Sequence, residues 1–589
     1  MSPSISKHSP ALREPGPAGA ATPTSLSIAL AGSGGSGVMT AGTMLLDAAA
    51  RAGLYGLMVR TSGPQIRGGE AAALLRLGHR PIETLDDGFD LLLAFDWQNV
   101  NRFADEIPLR PTGLIVGDSN EGEPPEVFTA GGARFTGVPL KKTAKEIAGS
   151  WVNMVALGLA GTLAGIPIAA LEAALCASWK RTEEGLRANL AALQAGVALA
   201  GSIASEAGAD AASPLSALAT TGAVASPPAP STSTPSAGSQ SDVAPARWLI
   251  SGNEAAGYGA VRGGIRFVAA YPITPATEML EWMAPALAKV GGTLLQAEDE
   301  LASVNMIIGA SYGGVPSLTA TAGPGLALMT EGIGLAVSAE VPIVVVDVMR
   351  GGPSTGIPAK SEQSDLSFAV CGLHGDAPRL VLAPTSIADC MATTQWAVAL
   401  AEATQTAAIV LSDQFMGQSR AIIDRPADPG FRAKRLVAEP GDTPYRRYLD
   451  TPSGVSPMAV PGTPGTVYTA DGLEHNERGI PSSQVRDHQQ QLDKRERKLA
   501  GHDYGDWWAD REGDGELAVV TFGSTTAAVR EALARVHAQG VAARLLALRL
   551  LAPAQPERMA AALEGVTRIL VVEQNHGAQL LRHLRGTLD

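Results

Sequence analysis

Cysteine and aromatic residues are scarce in this sequence, and basic residues are outnumbered by acidic ones. Three cysteines, Cys176, Cys371 and Cys390, occur in 589 residues and form no CxxC pair. So sparse and odd a set excludes a disulfide framework and points to a reducing compartment. It also leaves too few thiolates for a self-contained four-cysteine iron–sulfur cluster. Aromatics make up 4% of a chain that is 45% hydrophobic and holds 66 glycines. The interior is therefore built from Ala, Gly, Val and Leu, which suits close packing of helices on sheets. Lys+Arg 45 against Asp+Glu 58 give a net charge of −13, which argues against nucleic acid as a partner and serves solubility. Residues 154–171 form the longest apolar stretch, but it is rich in Ala and Gly and carries Thr162 and Pro167. It is expected as a buried helix rather than a membrane span. Residues 1–24 have no apolar segment of the signal-peptide kind and are expected as a disordered tail. From these absences the protein is expected to be cytoplasmic.

What is present divides the chain. At about 100–200 residues per domain, this length requires three or four domains. Residues 25–200 open on a short apolar strand at 26–30, a turn Gly32-Ser33-Gly34-Gly35-Ser36-Gly37 and a helical run at 38–52. Strands follow at 91–95 and 113–116, and the region ends in helices. Residues 201–246 collapse into Ala, Ser, Pro, Thr and Gly (ASPPAPSTSTPSAGSQS). That composition cannot bury enough apolar surface to fold, so a flexible linker between independent domains is expected. Residues 247–430 alternate strands and helices in the manner of a parallel α/β sheet. Residues 431–513, rich in Pro, Gly and charge, form an irregular excursion whose DKRERK run at 493–498 is expected as a solvated helix face. Residues 514–589 hold a second βαβ series that stops at Asp589, so a further C-terminal piece is expected beyond it.

Three segments share one design: Tyr271-Pro272-Ile273-Thr274-Pro275, then Gln296-Ala297-Glu298, then Thr321-Ala322-Gly323-Pro324-Gly325. Each closes a β-like run and opens a helix-like one, which places all three on the ligand-binding rim of one parallel sheet. One carboxylate, one hydroxyl and a Pro/Gly-braced loop on such a rim suit a thiamin diphosphate enzyme, with Glu298 facing the pyrimidine ring. Acids at a helix start also favour the helix dipole without any catalytic role. The two flanking loops decide for catalysis, and Asp299 and Glu300 are expected inside the helix, turned away from the rim. Arg350 ends a further strand and enters Gly351-Gly352-Pro353-Ser354-Thr355-Gly356, placed for two-pronged capture of a carboxylate.

Other motifs carry less. Gly32-x-Gly34-x-x-Gly37 between a strand and a helix satisfies the dinucleotide fingerprint. The acid expected at the end of the next strand is missing, however, and Arg60 stands there instead. A packing turn, a non-nicotinamide ligand and a 2′-phosphate contact all remain open. Arg67-Gly68-Gly69-Glu70 is a second braced turn whose arginine suits an anion or a partner. Gly513-Asp514-Gly515 has no asparagine within reach and precedes a strand, so it is no diphosphate–magnesium site, and Glu474-His475-Asn476-Glu477 is too isolated to hold a metal.

Together the residues resemble a family. YPITPATE, the QAEDE helix start, TATAGPGLALMTEGIG and VMRGGPSTGIPAKSEQSDL are similar to the α subunit of the 2-oxoacid:ferredoxin oxidoreductases. TADGLEHNERG, KRERKL and VVEQNHGAQL resemble the same family's downstream signatures. GSGGSGV and IRGGE resemble its γ domain, and a γ-before-α fusion is similar to the 2-oxoglutarate branch. The resemblance implies a multi-domain α/β fold: a γ domain, a thiamin-diphosphate-type pyrimidine-binding domain and a transketolase C-terminal-like domain. It implies CoA-dependent oxidative decarboxylation of a 2-oxoacid, most simply 2-oxoglutarate to succinyl-CoA. Glu298 would serve the pyrimidine nitrogen. Thr274 and Arg350 would hold the substrate's carboxylate. Tyr271, Pro272, Ile273, Thr321, Gly323, Pro324 and Gly325 would line the cofactor. Coenzyme A is the co-substrate. Mg²⁺ and a [4Fe-4S] cluster would belong to a β subunit in an (αβ)₂ assembly that passes electrons to ferredoxin or to an NAD(H)-linked subunit. Rival readings are a nucleotide-binding oxidoreductase or CoA-handling protein built on the Gly32–Gly37 loop, a pyruvate or other 2-oxoacid specificity, and a scaffold subunit with a vestigial rim.

Overall fold

The computed structural model describes residues 25–63, 69–98, 100–206, 247–441 and 444–588. The expected tail, most of the linker and Arg67-Gly68 lie outside the described residues. The described chain holds one eight-stranded, one seven-stranded and one four-stranded sheet.

The eight-stranded sheet runs Arg134–Val138, Leu109–Asp118, Phe89–Ala94, Ser25–Ser33, Glu70–Gly78, Tyr55–Ser62, Arg420–Asp424, Arg247–Ser251. Its first four strands are parallel. Along Ser25–Ser33 the side chains alternate between faces. Ile28 and Leu30 join a core formed with the helices Val38–Arg51 and Val152–Leu163, while Ala29 and Ala31 join the core of the next region. Glu70–Gly78 lies antiparallel between Ser25–Ser33 and Tyr55–Ser62. A dinucleotide fold needs the strand that follows the glycine turn's helix beside the first strand. Here an antiparallel strand separates them, and Arg60 pairs with Glu278 rather than awaiting a phosphate.

The expectation of independent domains on either side of 201–246 is corrected by this sheet. Arg420–Asp424 pairs with Tyr55–Ser62 on one side and with Arg247–Ser251 on the other. The open edge of the N-terminal sheet is thereby covered by strands from beyond the linker, which satisfies its backbone donors and acceptors. The helix Glu183–Glu206 also runs past the linker's expected start. It is long and apolar enough to cross a membrane by length and composition. In the fold it lies along Val152–Leu163 so closely that a methyl group at Gly158 or Gly196 would meet the other helix's backbone oxygen at 2.0 Å.

The seven-stranded sheet runs Leu550–Ala552, Leu380–Leu382, Ala407–Asp413, Ile343–Met349, Ser317–Thr321, Phe267–Ala270, Thr293–Gln296. Only Leu550–Ala552 is antiparallel within it. Ile343–Met349 (IVVVDVM) is buried at every residue, as befits a parallel strand covered on both faces. The helices Gly252–Gly263 and Ile387–Thr404 meet where a Cβ at Gly259 would lie 2.1 Å from the Met391 oxygen. The four-stranded sheet runs Ala509–Glu512, Ala543–Leu548, Leu517–Phe522, Arg568–Val572. Gly513 and Gly515 take positive φ in the turn before Leu517–Phe522.

The DKRERK run is corrected as well. In the helix Val485–Ala500, Lys494 and Lys498 are fully buried and Arg495 nearly so. Positions four apart share a helix face, and this face closes on the carboxylate of Glu340, which both lysines contact. Arg447 Nη2 donates to the Glu340 backbone oxygen at 2.7 Å. The excursion is thus anchored through buried charge rather than solvated.

Candidate active site

Four loops leave the carboxyl ends of adjacent strands in the seven-stranded sheet. Ala270 stands in register with Gln296, and Thr321 with Asp347, so the loops emerge at one level. This is the rim on which parallel α/β sheets bind ligands.

Tyr271, Pro272, Ile273 and Thr274 form the first loop; Tyr271 is 40% exposed, and Ile273 packs on the core. Asn253 Nδ2 holds the loop's base by donating to the Pro275 oxygen at 2.9 Å. The Thr274 hydroxyl has no hydrogen-bond partner among the described residues. Its carbonyl is taken by Arg350, whose Nη1 donates to it at 2.6 Å while Nη2 donates to Thr355 O at 2.7 Å. Arg350 is 8% exposed and its Nε has no partner among the described residues. The guanidinium is therefore a strut between two loops, and it is not freely presented for two-pronged capture as expected. Burial lowers its pKa, and the nearby Asp365 opposes that shift.

The second loop departs further from expectation. Asp299 is the N-cap of the helix Glu300–Tyr312, its Oδ1 accepting from the Ala302 amide at 2.7 Å. Glu298 lies before the cap, exposed, with no partner among the described residues. Glu300, expected to turn away, is instead the first helical residue and is 7% exposed. Its side chain reaches the third loop. A Cβ added to Gly325 would lie 2.8 Å from Glu300 Oε1 and 2.1 Å from Thr321 Oγ1. The Glu300 carboxylate also has no hydrogen-bond partner among the described residues. Thr321, Gly323, Pro324 and Gly325 close the strand Ser317–Thr321 and open the helix Gly323–Ser338, as the motif requires.

A cavity of about 590 Å³ adjoins these loops, and Gly323, Pro324, Arg350, Glu362, Asp365 and His576 line it. Its far wall is the C-terminal region, tied down by Gln574 N donating to Gln363 Oε1 at 2.8 Å and Gln579 Nε2 donating to Ser364 O at 2.7 Å. Sequence reasoning ranked Glu300 behind Glu298 and did not single out Asp365 or His576. For Glu300 a signal existed: Asp caps helices far better than Glu, so the cap falls on Asp299 and the next residue starts the helix.

A buried carboxylate without a donor, beside a glycine that admits no side chain, fits a ligand that brings its own N–H or ring nitrogen. The rim residues therefore fit the pyrimidine half of thiamin diphosphate.

Comparison with known proteins bears on the same residues. Residues 258–494 match the family model described as pyruvate flavodoxin/ferredoxin oxidoreductase, thiamine diphosphate-binding, and residues 27–199 match pyruvate ferredoxin/flavodoxin oxidoreductase. The chain is 32% identical to subunit alpha of 2-oxoacid:ferredoxin oxidoreductase 2 from Aeropyrum pernix, over 95% of this chain and 93% of that one. It is 36% identical to 2-oxoglutarate synthase subunit KorA from Methanothermobacter marburgensis, over 56% of this chain and 88% of that one. A solved structure of 2-oxoglutarate:ferredoxin oxidoreductase from Magnetococcus marinus, with 2-oxoglutarate, coenzyme A and succinyl-CoA bound, superposes with a TM-score of 0.82. It shares 36% identity and covers 96% of this chain and 95% of that one.

Proposed function

We propose a specific role for this chain, which belongs to the 2-oxoacid:ferredoxin oxidoreductase family as an α subunit with a γ-type domain fused ahead of it. Its substrate is 2-oxoglutarate, converted with coenzyme A to succinyl-CoA in the cytoplasm. The observation that carries the reading is the unpartnered, buried Glu300 between Thr321 and Gly325, on a rim whose first and fourth loops Arg350 joins. The choice of 2-oxoglutarate rests on the Magnetococcus marinus likeness.

Thiamin diphosphate, when bound, supplies the carbon nucleophile and the electron sink for decarboxylation. The chain's own residues do the positioning. Glu300, not the expected Glu298, holds a proton at the pyrimidine ring, because a carboxylate shielded from water interacts more strongly with a ring nitrogen than an exposed one. The Thr274 hydroxyl and the charge of Arg350 orient the oxoacid's carboxylate. Among the described residues no group of three or more His, Cys, Asp or Glu could hold a metal ion. The diphosphate–magnesium site and the iron–sulfur cluster are therefore assigned to a β subunit, in an (αβ)₂ complex that reduces ferredoxin.

The test is co-expression with the β subunit, then assay of an oxoacid panel with coenzyme A and a one-electron acceptor. Preference for 2-oxoglutarate is expected; preference for pyruvate would overturn the substrate, and inactivity toward every oxoacid the function. In the same complex, Arg350→Lys should raise the oxoacid KM about 10- to 100-fold, since lysine keeps the charge but cannot span Thr274 O and Thr355 O, and each lost charge-assisted hydrogen bond that sets these loops is worth about 1.5–3 kcal/mol. Cofactor occupancy should stay near wild type. An unchanged KM removes Arg350 from substrate binding.

A further inference from the structure

Asp347 is the one ionisable residue in the buried strand Ile343–Met349, and it is fully buried. Neither of its carboxyl oxygens finds a donor among the described residues, and Oδ2 of Asp365 is orphaned in the same way. The two carboxyl groups are neighbours, Asp365 lying against Gly323 and Asp347 standing opposite Thr321 two residues before it, and each shifts the other's ionisation. Two ionised carboxylates offer no donor, so their closeness requires a proton on one of them.

This pair touches the candidate site on two sides. Asp365 lines the cavity beside Arg350, and the two groups influence each other's ionisation. Its oxygens also occupy the space of a missing side chain at Gly323, where a Cβ would lie 2.6 Å from Oδ2. Asp347 stands opposite Thr321 in the strand register.

We propose that Asp347 and Asp365 hold one proton between them, and that this pair is a positioning device that keeps a single negative charge beneath Arg350 so that an anionic 2-oxoacid can seat there. The role of the pair rests on the function proposed above for its substrate. Burial drives Asp347 up, reinforced by Asp365; burial and the neighbouring Glu362 drive Asp365 up. The other charged groups around the pair are Arg350 and Glu362, with His576 across the cavity, Glu300 beyond Thr321, and Asp413 on the next strand, in register with Met349. Raising the pH through the pair's second ionisation doubles the charge facing Arg350, which weakens its hold on an anion.

Asp347→Asn keeps the shape, donates a permanent N–H to Asp365, and cannot ionise. Infrared difference spectra of the full chain against the variant should show a protonated-carboxyl band at neutral pH in wild type that the variant lacks. This readout needs neither cofactor nor substrate. In the assembled enzyme the wild-type oxoacid KM should climb about tenfold per pH unit above that ionisation while kcat does not follow. The KM of Asp347→Asn should stay flat across the same range. Asp365→Asn exchanges the proton's acceptor for an amide while Asp347 stays buried, so the same band should move to a new position, which covers the case of an Asp347 variant that does not fold. A carboxyl band indifferent to both substitutions overturns the shared proton. Coincident KM profiles in wild type and Asp347→Asn overturn the positioning role. The infrared band is read without turnover of any oxoacid, so failure of the assigned function is told apart from failure of the pair.

Discussion

Glu300→Gln should slow oxoacid-dependent electron transfer by about 10²–10⁴-fold, the usual contribution of a positioned acid–base group. Glutamine fills the same volume beside Gly325 and Thr321, so folding, assembly and cofactor occupancy should persist. A neutral amide has no proton to share with a ring nitrogen, so deuterium exchange at the cofactor's reactive carbon should slow in parallel. Glu298→Gln is the paired control. Glu298 is exposed and stands before the Asp299 cap, and its variant should stay close to wild type in both assays. The reverse outcome, a dead Glu298→Gln and a competent Glu300→Gln, would return the catalytic role to Glu298.

The second large effect concerns stability. Glu340→Gln should cost about 3–5 kcal/mol, because it strands buried ammonium groups without a counter-charge. Glu340, Lys494, Lys498 and Arg447 are all fully buried. Burial opposes ionisation of Glu340, yet Lys494, Lys498 and Arg447 override it and hold the carboxyl well below the usual range. Burial pushes Lys498 down to about 7 despite the pull of Glu340, and Lys494 down as well. A depressed carboxyl contributes stability above its ordinary pKa and loses it as pH falls. A depressed lysine makes the unfolded chain the better proton binder, so its share of stability rises with pH from about 7 to about 10. Without Glu340 both lysines are depressed further. The variant's deficit in melting temperature should therefore be larger at about pH 6.5 than at about pH 9, by calorimetry. A melting point indistinguishable from wild type at both would mean that the excursion is held by its apolar contacts.

The rim was legible in the chain because it is written in short-range terms. A strand must stop and a helix must start at each of the loops after residues 270, 296 and 321, and Pro, Gly and acidic residues mark such transitions locally. The buried cluster was not legible: a helix face bearing Lys494 and Lys498 is solvated by default, and only Glu340, more than a hundred residues earlier, reverses that.

By itself, then, the sequence determined the parallel α/β class, the four loops of the rim and the lack of a four-cysteine cluster within this chain, since each depends on residue type and spacing over a few positions. The tertiary structure alone decided that the Glu300 side chain lies buried against Gly325 and Thr321, that Asp347 meets Asp365, and that Arg420–Asp424 closes the N-terminal sheet. Each of these depends on which distant groups share a water-poor space, where an unpaired charge or backbone group is costly enough to dictate its partner.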